Sequence, residues 1–136
     1  MEIRTTRLDR KAGYTAWWVI FNNPDACDAD GCGLNDLGTA EVAASIFYAA
    51  GFVTGTDGTA NVTAHLEAGV LAEGIDHFFG PGLTAENGLE AEIHAIVRSH
   101  GALIAGLVAD QIGSFAGACD LNPCEDQQAV AFQAVH

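Results

Sequence analysis

A chain of 136 residues, 49% of them hydrophobic, suits a single domain, residues 1 to 136, with a genuine core and is too apolar for a disordered segment. Its formal charge of -13 is unevenly placed: Arg4, Arg7, Arg10 and Lys11 fall in the first eleven residues, and from Ala12 onward sixteen carboxylates stand against Arg98 alone. Such a surface repels phosphate backbones and anionic lipid, which argues against nucleic-acid and membrane-surface partners, while cations are natural counterions and solubility in a salty habitat is served as well.

In chain order, residues 1 to 11 alternate Thr, Arg and Leu and predict a short edge strand whose charges discourage further pairing. Tyr14 to Phe21, rich in aromatic and β-branched residues, is the strongest strand and is expected at the centre of a sheet. Residues 22–25 (NNPD) end it, and an acidic loop runs on to Asp36. The alanines after Glu41 suit a helical start, but Ser45 to Tyr48 and Phe52 to Thr54 point to strand. Asp57-Gly58 then predicts a tight hairpin, with Thr59 to Leu66, including His65, as the returning strand. Ala68 to Gly88 is a glycine-punctuated connection with room for one short strand.

Read as a strand, Ala91 to His100 sends Glu92, His94, Ile96, Arg98 and His100 to one face and Ala91, Ile93, Ala95, Val97 and Ser99 to the other. A continuous helix from Glu90 to Phe115 competes, because Ile93, Ile96, Val97, His100, Leu103, Ile104 and Leu107 also fit a 3.6 period. Ala102 to Phe115 has helical spacing in either case. Gln127 to His136 closes the chain as a strand. No run approaches the roughly 18 to 20 apolar residues of a membrane span, and no signal-like region opens the numbered chain, which therefore reads as soluble.

The four cysteines form two pairs of one shape, Cys27/Cys32 and Cys119/Cys124, each with four residues between the sulfurs. Four cysteines allow three connectivities; the turn signals Asp30-Gly31 and Asn122-Pro123 favour the two local disulfides, and disulfides place the chain in an extracellular or periplasmic setting. A four-thiolate zinc site is the rival, but its usual tight spacing and cationic neighbours are missing.

The blocks YTAWWVIFNNPDAC (14–27), AEIHAIVRSHG (91–101) and AFQAVH (131–136), spanning nearly the whole chain, resemble an uncharacterised family of secreted bacterial all-β proteins in which they recur in this order with paired cysteines between them. Glu92-Ile93-His94 resembles, more faintly, the His-Ile-His segment of CHRD-type β-domains, with glutamate replacing the first histidine. The resemblance implies an exported, mostly β domain and tips the Glu90 region toward strand.

The candidate chemistry is concentrated on one strand face. Glu92, His94, Arg98 and His100 make a ligand-binding face for a transition metal or a small anion. His94 and His100, six residues apart, would stand about 20 Å apart at roughly 3.3 Å per residue, so a zinc or copper site at His94 would need His65 or His136 from a neighbouring strand. Structural hydrogen bonding of these histidines, and ion pairing of Arg98, are the plain alternatives. Asp25, Asp28, Asp30 and Asp36 resemble a calcium loop in spacing, although Ala26 stands where an EF-hand would place its first acid. Gly51 to Gly58 lacks the helix and lysine of a phosphate loop. No serine sits in a nucleophile-elbow context. The sequence therefore predicts a β-sandwich or barrel-like domain with one short helix near 103–115, acting as an exported binding or structural module. The alternative is a small secreted enzyme using Glu92, His94 and His100 in acid-base chemistry. Oligomeric state is not legible.

Overall fold

In a computed structural model of the chain, the described residues are 1–28, 31–70, 77–84, 86 and 88–134. Among them the fold is mainly β. Seven strands are β1 (Glu2–Thr5), β2 (Ala12–Phe21), β3 (Ala44–Val53), β4 (Ala60–Thr63), β5 (His77–Phe79), β6 (Glu92–Ala102) and β7 (Glu125–Phe132), with one helix, α1 (Val108–Gly113). β1 and β4 form a two-stranded antiparallel sheet, and the other five form a sheet in the order β5-β3-β2-β6-β7. Neither sheet closes into a barrel. Among the described residues no helix is long and apolar enough to cross a membrane.

The expectation for Tyr14 to Phe21 holds: β2 is the central strand, and every one of its ten residues is buried. A strand covered on both faces needs apolar side chains at successive positions rather than alternating ones, and the run from Ala16 to Phe21 supplies them. Its neighbours run antiparallel. Thr54 N–H donates to the Ala12 carbonyl at 3.1 Å and Asn23 N–H to the Val42 carbonyl at 3.0 Å, so β3 passes β2 in the opposite sense. Leu103 N–H meets the Lys11 carbonyl at 3.2 Å while Thr15 meets His100, which fixes the same relation for β6.

Two corrections concern the second quarter of the chain. β4 does not return alongside β3; it pairs with β1, with Ile3 opposite Val62. The Asp57-Gly58 turn is present, and Gly58 has φ +71, but a Cβ there would collide with the Leu8 carbonyl oxygen, so this glycine serves a crossing of two backbones. β4 also ends at Thr63, which leaves His65 outside the strand and exposed.

Packing divides the chain into two compact units. The first comprises Met1–Trp17, Tyr48–His65 and Ile96–Ala129, and the second Trp18–Phe47, Leu66–Ala95 and Val130–His136. In the first unit Leu8, Ala12, Tyr14, Phe52, Val62 and Val97 form a core against which Ile3, Ala50 and Ala60 pack, so the two sheets meet face to face as in a β-sandwich. Tyr14 stacks on Phe52 with centroids 5.5 Å apart, an arrangement worth about 0.5–1.5 kcal/mol beyond area burial. On the other side of β2, Trp17 is met edge-on by Tyr48 at 5.7 Å and Phe115 at 5.2 Å.

In the second unit the buried Asn22 ties three segments together. Its Nδ2 donates to the carbonyls of Ala43 and Gly82, both at 2.8 Å, and its Oδ1 accepts from Thr84 N–H at 3.0 Å. The helical start expected after Glu41 is a single 3-10 turn, Ala40–Val42, ended by Ala43 at φ +50.

Candidate functional site

His100 lies on β6 in the first unit and is fully buried. Its setting is built by the chain that follows it. β6 ends at Gly101 and Ala102, Gly101 adopting φ +76, and the short α1 turns back over the strand end. Gln111 from α1, itself fully buried, donates through Nε2 to the carbonyls of His100 at 3.1 Å and Ala102 at 2.9 Å and accepts from Ile104 N–H at 3.0 Å. A buried glutamine is tolerated because it satisfies strand-end groups that would otherwise lack partners. The helix is thereby anchored by a polar residue, and it is shorter than the 102–115 span expected from apolar spacing.

Beyond α1 the chain delivers the Gly117 carbonyl and the Cys119–Cys124 disulfide to the imidazole. Nδ1 of His100 is 2.8 Å from the Gly117 oxygen, 3.4 Å from Cys124 Sγ and 3.9 Å from Cys119 Sγ. On the opposite edge of the ring, Nε2 is 2.8 Å from Thr15 Oγ1, and Trp17 Nε1–H donates to that same oxygen at 2.7 Å. Burial pushes the His100 pKa below its ordinary value; the Gly117 carbonyl opposes this and the Arg98 charge adds to it. The ring is therefore neutral. A carbonyl can only accept, so the proton sits on Nδ1 and the Thr15 hydroxyl donates to Nε2. One ring nitrogen of His100 and the two sulfurs lie within 4.8 Å of one another, and no other group of three histidine, cysteine or acidic donors does so among the described residues.

Arg98, two residues earlier on β6, is held on three sides. Its Nε–H donates to the Phe115 carbonyl at 3.1 Å, its Nη1 reaches Asp126 Oδ1 at 3.0 Å, and its guanidinium carbon lies 3.9 Å from the Phe115 ring centroid. Those partners make it a structural cation. The anion-binding role expected for it would have to displace them.

The first two residues of the expected face belong to the second unit. Glu92, 5% exposed, accepts at Oε1 both the Cys32 N–H at 3.1 Å and His94 Nε2 at 2.6 Å. His94 also meets Phe21 edge-on at 5.2 Å. The carboxylate thus binds the first disulfide loop to β6, and His94 keeps partial exposure with its ring orientation fixed.

Both local disulfides are present, Cys27–Cys32 and Cys119–Cys124, which leaves no free cysteine and favours an oxidising extracellular or periplasmic setting. Among the described residues, the carboxylates of the acidic loop form no group of three donors. Asp36 turns inward and accepts from Asp28 N–H at 3.0 Å and Gly33 N–H at 2.7 Å, closing the loop onto itself, whereas the side chains of Asp25 and Asp28 are exposed. Asp30 and His136 lie outside the described residues. Among the described residues neither His65 nor His94 belongs to a group of three donors, and the pairing of His94 with His136 falls outside them.

The structure instead brings His100 together with the second cysteine pair, which sequence reasoning had kept apart as a face residue and a staple. Their separation of 19 residues hides the contact. The available signal was the glycine pair Gly101 and Gly117 around the short helix: a Cβ at Gly117 would collide with the Asp110 carbonyl oxygen, marking a tight return of the chain.

Comparison with known proteins gives no relative to set beside this geometry: no protein-family model, curated protein or solved structure matches the chain.

Proposed function

We propose that this protein is an exported, disulfide-stapled binding module that takes a borderline-soft transition-metal ion at His100, Cys119 and Cys124 once the Cys119–Cys124 bond is reduced. The observation that carries the reading is the convergence of one imidazole nitrogen and two sulfurs within 4.8 Å. Two thiolates and an imidazole are the donor types that select zinc or cuprous copper over calcium or magnesium. The Gly117 carbonyl oxygen, 2.8 Å from Nδ1, is a fourth donor within reach.

The chemistry balances in two steps. A dithiol reductant gives two electrons and two protons to the disulfide, forming two thiols and becoming a disulfide itself. The ion then displaces the two thiol protons. In an oxidising compartment the bond keeps the site closed; a dithiol opens it.

Calorimetric titration of zinc into reduced protein, with oxidised protein as the reference, tests this. One equivalent should bind to the reduced form, survive Cys27→Ser and disappear in Cys119→Ser. Equal binding to oxidised protein, or loss only in Cys27→Ser, would overturn it. A second reading, a small secreted enzyme with an acid-base pair, rests on the 2.6 Å contact between Glu92 and His94. Hydrolytic turnover that is retained by Cys119→Ser and lost in His94→Gln would favour it.

A further inference from the structure

We propose that Asn61 is a glycosylation site, its side-chain amide taking a saccharide from a glycosyl diphosphate while the chain is being exported. The inference stands apart from the metal-binding reading and shares with it only the oxidising setting that the two disulfides favour.

Asn61-Val62-Thr63 has the Asn-X-Thr pattern of an acceptor with no proline at its centre, and no other asparagine of the chain has a serine or threonine two positions on. So short a pattern arises readily by chance, and its place in the fold decides whether it can be used. β4 pairs with β1 so that Asn61 lies opposite Arg4 and Thr63 opposite Glu2. Alternation turns Val62 into the core and Ile3 against it, and sends Asn61 and Thr63 outward, where both are exposed.

Neither polar side chain is engaged. Among the described residues the Asn61 amide and the Thr63 hydroxyl make no hydrogen bond, and the facing Arg4 is committed to Glu2, at 3.0 Å through Nε and 3.1 Å through Nη2. Asparagine is depleted in strands, and this one adds neither packing nor a side-chain bond to the sheet. The amide is free to react, and the hydroxyl that a transferase recognises stands beside it on the same face.

In the transfer the bond between C1 of the sugar and the diphosphate oxygen breaks, and the diphosphate leaves with the electron pair. The Nδ2–C1 bond forms, and one amide proton passes to a carboxylate of the transferase. The finished ladder holds the backbone of Ala60–Thr63 against β1, so the enzyme meets this segment before the strands pair. A two-stranded ribbon is marginal until a core supports it, which leaves that interval open. The product suits the folded chain: β4 has one edge without a strand partner in its two-stranded sheet, and a bulky, soluble group beside that edge blocks edge-to-edge association.

The test is mass spectrometry of the peptide that spans Asn61, cut from protein secreted by its own host. The wild-type peptide should carry a saccharide; Asn61→Gln and Thr63→Val should lose it, and Thr63→Ser should keep it. Asn61→Gln should still be secreted with both disulfides formed, because its side chain is exposed and unbonded. An inhibitor of lipid-linked glycan assembly should remove the saccharide if the diphosphate is carried by a lipid and spare it if the carrier is a nucleotide; both results support the site. A wild-type peptide of unmodified mass, or a saccharide that persists in Thr63→Val, would overturn the inference and leave the metal site standing.

Discussion

The guanidinium carbon of Arg98 lies over the ring of Phe115, 3.9 Å from its centroid, while its Nε–H donates to the backbone carbonyl of that same residue. One side chain thus fixes both the ring and the peptide of the segment leading to Gly117. Only a planar, forked cation makes these contacts at once. Arg98→Lys should therefore cost about 1–2 kcal/mol in urea unfolding, from a lost charge-assisted hydrogen bond and weaker stacking. Asp126→Asn should cost less than about 1 kcal/mol, because that carboxylate is half exposed and its pairing is screened. A larger loss at Asp126 than at Arg98 would contradict the assignment.

The neutral state of His100 predicts the sign of a pH effect. Its pKa lies below the unfolded value of about 6.5 because burial disfavours the charged ring. Between the two values the unfolded chain binds more protons, so stability is complete above about pH 6.5 and falls as pH drops toward the folded value. The slope from this group reaches at most about 1.4 kcal/mol per pH unit. Nuclear magnetic resonance titration of the His100 ring protons should give a midpoint below 6.5. A midpoint above it would mean that a charged ring is stabilised in the buried setting.

Glu92 offers a test in the second unit. Its carboxylate is the acceptor for the buried Cys32 N–H, so Glu92→Ala should cost about 1–3 kcal/mol by leaving that donor without a partner. Glu92→Gln keeps an oxygen in place and should recover part of the loss. Equal unfolding free energies for the two variants would show that the Cys32 contact contributes nothing.

The parts of the fold that were legible in the sequence are those where one local signal dominates. β2 was readable because a run of aromatic and β-branched residues has no comfortable place outside a covered strand. β6 was readable from its period-two spacing, which prevailed over a competing helical period across Glu92–Ala102. The local disulfides followed from turn residues between each pair. β4 was misplaced because Asp-Gly specifies a turn but says nothing about which sheet receives the next strand; the Leu8 backbone decided that. The helix was overextended because apolar spacing ignores Gln111, whose side chain answers backbone groups on another element. The site was half legible. Alternation identified His100 as unusual, but its approach to Cys119 and Cys124 is a tertiary contact that no local pattern encodes.

The central claim is the ligand set of the reduced protein, and X-ray absorption at the zinc edge reads that set directly. With one equivalent of zinc bound, the account predicts two sulfurs at about 2.3 Å and a histidine nitrogen at about 2.0–2.1 Å, with the sulfur contribution lost in Cys119→Ser and retained in Cys27→Ser. A first shell of nitrogen and oxygen alone, or one whose sulfurs persist in Cys119→Ser, would contradict it.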